Sequence, residues 1–185
     1  MKNTKVMQWG LAALPLILLG IMTAIFYGKS LHRDPQVQTH ALVGKPAPTV
    51  AMASLEGAAP MDAATAAGAG AGGPYVVNFF ASWCGPCATE QPTLLELKAR
   101  GVRIVGVNYK DKPEDARAFL AKFGDPFVAR LTDPDGRAGI EFGVSAVPES
   151  FLVGANGIVL AKASLPLTPS DAKRLMDQLS KDRPL

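Results

Sequence analysis

The stretch "YVVNFFASWCGPC", residues 75–87, decides how the rest of this chain is read. It joins a continuous strand-like run, Tyr75 to Phe80, apolar except for Asn78, to a pair of cysteines separated by Gly85 and Pro86. Such a run, bounded by turn residues, predicts a strand buried on both faces. A proline in the first helical turn, where its missing N–H costs nothing, predicts that a helix begins at the cysteine motif. Cys84 then lies at the helix start, facing unpaired backbone N–H groups and the positive end of the dipole, which favour a thiolate. Cys87, one turn further in, is placed to attack a mixed disulfide formed on Cys84.

Cys84 and Cys87 are the only cysteines in 185 residues. A structural zinc site needs about four ligands, and both histidines, His32 and His40, lie more than forty residues upstream. A purely structural crosslink between residues three apart closes a very short loop and constrains little chain. Redox exchange is therefore the favoured reading, with no metal and no cofactor. The absence of histidine after residue 40 also disfavours copper delivery, and a peroxidase pattern ahead of either cysteine is missing.

Outward from the motif, the order of elements is legible. The helix is expected to run to about Ala99, burying Leu94, Leu95 and Leu97, with a kink at Pro92. "VRIVGVN" (102–108) is a second buried strand, and "KPEDARAFLAKFG" (112–124) is a helix opened by Pro113 and stopped at Gly124. "FVARL" (127–131) and the turn "DPDG" follow, then two strands about "ANG" in "ESFLVGANGIVLAKA" (149–163). "TPSDAKRLMDQLSKD" (168–182) is an amphipathic terminal helix. The order β-α-β-α-β-β-α gives an α/β fold, a mixed sheet with helices on both faces.

In front of this domain, residues 6–28 carry no charged side chain. As a helix they would be roughly 35 Å long, enough to cross a hydrocarbon core of about 30 Å. Residues 1–5 are expected in the cytoplasm, 6–28 as an uncleaved transmembrane signal anchor rather than a cleaved signal peptide, and 29–44 as a polar tether. Residues 45–185 form the domain, interrupted at 57–74 by a segment with Ala or Gly at 13 of 18 positions, read as a flexible surface insertion. A possible short strand precedes it, around Thr49 to Ala53. The net charge of +3 is modest and partly beside the apolar segment, so no nucleic-acid surface is expected.

"WCGPC" after a buried strand, with "AVPES" (146–150) before a later one, resembles the thioredoxin superfamily over nearly all of residues 45–183. The resemblance implies that Pro148 is cis, packs against the dithiol and exposes the backbone of Val147 for strand-like pairing with a substrate. It also implies that Trp83 shields the dithiol and contacts partners. More finely, "GVNYKDKPEDARAFLAKFG", "DPDGRAGIEFGVSAVPESFLV" and "GIVLAKA" resemble the membrane-anchored thiol:disulfide interchange proteins of cytochrome c maturation, the DsbE or CcmG type. That branch implies reduction of the heme-binding CxxCH cysteines of apocytochrome c on the periplasmic side of the inner membrane. Its electrons come from a DsbD or CcdA type membrane protein. The intervening Gly-Pro is that of general thioredoxins rather than the branch's more usual Pro-Thr. Two other functions stay open: a general exported disulfide reductase, and a module that holds apocytochrome with redox work secondary.

Where thioredoxins carry a buried aspartate, this chain has Asn78. Glu90, three residues after Cys87, and Glu149, implied by the fold to face the dithiol, are the candidate acids. They are expected to raise the thiol pKa and to assist proton transfer. For Glu90 the competing reading is a solvated helix face. Asp111 and Asp115 are read as surface residues at a helix start.

Overall fold

The computed structural model describes residues 15, 17–24, 42–68, 70 and 72–181. The chain divides into a first unit, residues 1–38, and a second, residues 39–185. In the first, residues 17–24 are helical; the rest of the expected 6–28 anchor, apart from residue 15, lies outside the described residues. Among the described residues no helix is long and apolar enough to cross a membrane.

The second unit is built on a six-stranded sheet. Its strands are β1 (Ala53–Ser54), β2 (Tyr75–Phe80), β3 (Ile104–Tyr109), β4 (Ala129–Asp133), β5 (Glu149–Val153) and β6 (Val159–Ala163), in the spatial order β1-β4-β3-β2-β5-β6. The helices are α1 (Ala63–Ala66), α2 (Gly85–Ala99), α3 (Pro113–Phe123), α4 (Arg137–Phe142) and α5 (Pro169–Lys181). β2, β3 and β4 are parallel; β5 runs antiparallel to β2, and the β5–β6 hairpin closes one side. The sheet is mixed and flanked by helices, as the element order predicts.

Two successive right-handed crossovers, β2-α2-β3 and β3-α3-β4, step the same way along the sheet and so put α2 and α3 on one face. That face buries Val76, Phe80, Leu94, Leu97, Phe119, Phe127 and, from α5, Leu175. The opposite face buries Val77, Phe79, Phe151, Ala138 and Phe142, with Ala63 and Ala67 from the α1 region. Because strand side chains alternate, Asn78 shares the α2 face with Val76 and Phe80. The first face is held tightly beneath the cysteine motif. Phe80 and Phe127 stack with ring centroids 4.9 Å apart, and Gly106 lies so close that a Cβ there would sit 2.5 Å from the Phe127 ring.

Several expectations are adjusted by packing. Helix α2 ends at Ala99, as expected, with Pro92 inside it. The expected strand at 127–131 is displaced to Ala129–Asp133: the Phe127 N–H is taken by Asp125 Oδ1, and pairing with β3 begins at Ala129. The short helix α4, not anticipated, starts after the turn at Gly136, where φ is 72°. The Ala/Gly segment is more than a surface excursion. Ala63 and Ala67 are buried, Asp62 caps α1 through Thr65 N–H, and Met61 pairs with Met52. The Arg103 guanidinium donates to the carbonyls of Ala67, Gly68, Gly72 and Gly73, so one side chain gathers the C-terminal part of the segment. Small side chains bury little individually, but they let this backbone close onto the arginine.

Candidate active site

Strand β2 ends at Phe80, and the chain turns through Ala81, Ser82 and Trp83 into α2 at the carboxyl edge of the parallel strands, where sites on such sheets collect. Cys84 is the N-cap of α2. Its Sγ accepts from Cys87 N–H at 3.1 Å, so one of the helix's orphan donors points at the sulfur. The two cysteines form a disulfide with Cα atoms 5.3 Å apart. Both are buried, whereas Trp83 beside them is 60 % exposed. Reduced, Cys84 would hold its thiolate against the same N–H and the helix dipole, while Cys87 stays inside the protein.

The Val147–Pro148 bond is cis. The carbonyl oxygen of Val147 lies 3.4 Å from Cys84 Sγ, so the loop before β5 forms the second wall of the site. Val147, which precedes the cis Pro148, thus lies against Cys84, with Cys87 one turn into the helix and Trp83 beside the pair. Trp83 donates from Nε1 to Lys110 O at 3.2 Å, which orients an otherwise exposed indole.

The acids divide. Glu90 is 1 % exposed and lies on no solvated face. Its Oε1 accepts from Asn78 Nδ2 at 2.9 Å and its Oε2 from Leu167 N–H at 2.9 Å. Burial raises its pKa to about 7, with the two hydrogen bonds pulling the other way. Asn78 also donates to Ser150 Oγ at 2.9 Å, while its Oδ1 is buried without a protein partner.

Glu149 is a correction. It is aligned with Phe79 across the β2–β5 ladder, and alternation places it with Phe79 and Phe151, on the face opposite Asn78 and Ser150. There its Oε2 pairs with Lys162 Nζ at 2.8 Å, and its Oε1 accepts from Ser145 Oγ at 2.9 Å. Lys162 also donates to Gly143 O at 2.8 Å and sits over the Phe151 ring. Glu149 therefore fastens the loop that precedes Pro148 rather than facing the sulfurs. Lys162, Ser145 and Ser150 were missed from sequence; a single lysine inside the apolar strand "IVLAKA" was the one available signal.

Asp115 is exposed, as expected, but Asp111 is half-buried and reaches back to the loop before the cysteines. Among the described residues no group of three or more His, Cys, Asp or Glu side chains could hold a metal ion.

Comparison with known proteins matches residues 42–179 to the Redoxin family model. The chain belongs to the Redoxin family. The chain is 39 % identical over 166 residues to the thiol:disulfide interchange protein HelX of Rhodobacter capsulatus, covering 90 % of this chain and 93 % of HelX. It is 34 % identical over 177 residues to DsbE of Escherichia coli K12, covering 91 % and 95 %. Among solved structures it resembles a DsbE-like thiol:disulfide interchange protein from Chlorobium tepidum, at TM-score 0.61 and 31 % identity over 76 % of this chain and 96 % of that one. Kinship to interchange proteins, together with a cysteine pair in exchange geometry, makes this Redoxin domain a thiol–disulfide oxidoreductase of thioredoxin-like fold.

Proposed function

We propose that this oxidoreductase works as a reductant in cytochrome c maturation, and that its substrate is the disulfide of the CxxCH cysteines of apocytochrome c. The observation that carries the direction of exchange is Glu90, a buried acid one turn beyond Cys87 with a pKa near 7. Oxidants of this fold class stabilise the thiolate of the reduced pair strongly. A partly ionised carboxyl on the same helix opposes that stabilisation, leaves the disulfide form comparatively favoured, and so makes the dithiol a donor of electrons.

The cycle balances without a cofactor. The Cys84 thiolate attacks one sulfur of the substrate disulfide and releases the other as a thiolate, which takes up a proton. Cys87 loses its proton and attacks Cys84 Sγ, forming the Cys84–Cys87 disulfide and releasing the second substrate sulfur as a thiolate, which also takes up a proton. Two electrons pass to the substrate. Glu90 accepts the Cys87 proton, directly or through water. Protonated Glu90 in turn suits a flipped Asn78 amide, whose orphan Oδ1 would then accept from the carboxyl and from Ser150. The Val147 backbone pairs with the extended substrate chain beside Trp83.

In this reading residues 6–28 anchor the chain in the inner membrane with the domain on the periplasmic side, and a DsbD or CcdA type membrane protein re-reduces it. The supporting features are the uncharged run at 6–28 and the similarity to the interchange proteins over nine-tenths of the chain. Gly85-Pro86 favours the second reading, a general exported reductase.

A Cys87→Ser variant separates the two. It is expected to trap apocytochrome c as a mixed disulfide through Cys84. Capture of many exported proteins with no apocytochrome c among them would select the general reductase. Continued holocytochrome c assembly by a Cys84→Ala, Cys87→Ala variant would instead show that holding, not reduction, is the function.

A further inference from the structure

The turn that presents Trp83 and Cys84 is fastened by a carboxylate from a different loop. Asp111, just beyond β3, accepts four hydrogen bonds. Its Oδ2 takes Ser82 N–H at 2.7 Å and Asn108 Nδ2 at 2.8 Å; its Oδ1 takes Ser82 Oγ at 2.9 Å and Lys112 N–H at 2.9 Å. Two of the four go to Ser82, two residues before the attacking cysteine. Capping α3 is not its main task, since the capping position is Lys112 and makes no side-chain cap bond.

The loop that carries Asp111 is itself anchored. Lys110 sits in the left-handed region at φ 47°, its N–H bonds to Asp133 O at 3.0 Å, and its carbonyl receives the Trp83 indole. Asp133 in turn accepts Ala138 N–H and Gly139 N–H at the start of α4. The ends of β3 and β4 thus form a brace, and Ser82 and Trp83 are the points where the reactive turn touches it.

We infer that Asp111 is a positioning residue for disulfide exchange, holding the Ser82–Trp83 turn so that Cys84 Sγ stays over the Cys87 N–H and beside Val147 O. Attack on a disulfide requires the incoming sulfur to be aligned with the bond it breaks, and a displacement of about 1 Å can cost up to roughly a hundredfold in rate. With the tie cut, the turn retains the Cys84 N–H to Ala81 O bond at 3.2 Å and the indole contact, but loses both bonds that fix Ser82. The inference rests on the exchange chemistry and not on which protein is reduced, so its failure would leave the apocytochrome c reading untouched.

The test uses the full-length reduced chain and a synthetic peptide closed by an internal disulfide. Three readouts are followed: the rate of peptide reduction, the pH dependence of Cys84 alkylation, and acrylamide quenching of Trp83 in a Trp9→Phe background. Asp111→Ala is expected to slow reduction about tenfold, raise the alkylation midpoint and increase quenching. Asp111→Asn should stay within about threefold of the parent, because one amide oxygen still accepts Ser82 N–H while the new NH2 donates to Ser82 Oγ. A reduction rate for Asp111→Ala within twofold of the parent, with unchanged quenching, would overturn the inference. So would equal slowing of both variants in step with a common loss of stability. Should Asp111→Ala not fold, Ser82→Ala decides: it removes one tie without touching α3, and slowing of threefold or more supports the role while no change refutes it.

Discussion

Two glutamates are almost completely buried in this domain, and they do opposite work. Glu90, on helix α2, is held by a side-chain amide and a backbone N–H, both neutral. Glu149, at the start of β5, is held by Lys162, whose side chain is 5 % exposed, and by Ser145. The first is left close to its titration point at neutral pH and can exchange a proton; the second is one half of a fixed ion pair that ties a loop to the sheet. Burial alone does not make a carboxylate reactive. What it is buried against decides, because a cation compensates the lost hydration and a neutral donor does so only in part.

The largest test of that contrast removes the cation. Lys162→Met should cost about 3–5 kcal/mol, since Glu149 is left buried with its charge uncompensated. Adding Glu149→Gln should recover much of the loss. Urea unfolding of the single and double variants measures both, and a Lys162→Met protein as stable as the parent would erase the distinction between the two sites.

Next comes the acid without a cation. Glu90 has a folded-state pKa raised from 4.5 to about 7, so the folded chain holds this proton more tightly than the unfolded one. The stabilisation this gives is complete below the unfolded value and is lost as pH rises from about 4.5 through about 7, a loss on the order of 3 kcal/mol. Glu90→Gln should therefore flatten stability across that window and make the variant the more stable protein at pH 8. Unfolding midpoints at pH 5 and pH 8 provide the check; identical pH profiles for variant and parent would contradict the assignment. The smallest effect is expected from Ser145→Ala, about 1 kcal/mol for the loss of its hydroxyl bond to Glu149, read as a shift in the urea midpoint.

Much of the domain was legible in the residues. The apolar run before the cysteines, the early prolines of α2 and α3, the glycine stop at 124 and the "ANG" turn each state a local preference that the fold obeys. Glu90 was ambiguous because helical spacing alone does not tell which face α5 and the Leu167 segment will cover. Glu149 was misplaced for a different reason. A strand alternates, so a one-residue difference in where β5 begins exchanges its two faces, and the ladder puts Ser150, not Glu149, beside Asn78.

The amino-acid sequence by itself determined the exchange chemistry: two cysteines three apart, preceded by a buried strand and set at a helix start, allow little else. It also determined the order of elements, since periodicity and turn residues are local properties. Only the tertiary structure decided which carboxylates matter and how. The amide that holds Glu90, the cation opposite Glu149 and the reach of Asp111 to Ser82 depend on groups 12, 13 and 29 residues distant in the chain. Those distances are closed by packing, and packing is a property of the whole sheet rather than of any stretch of it.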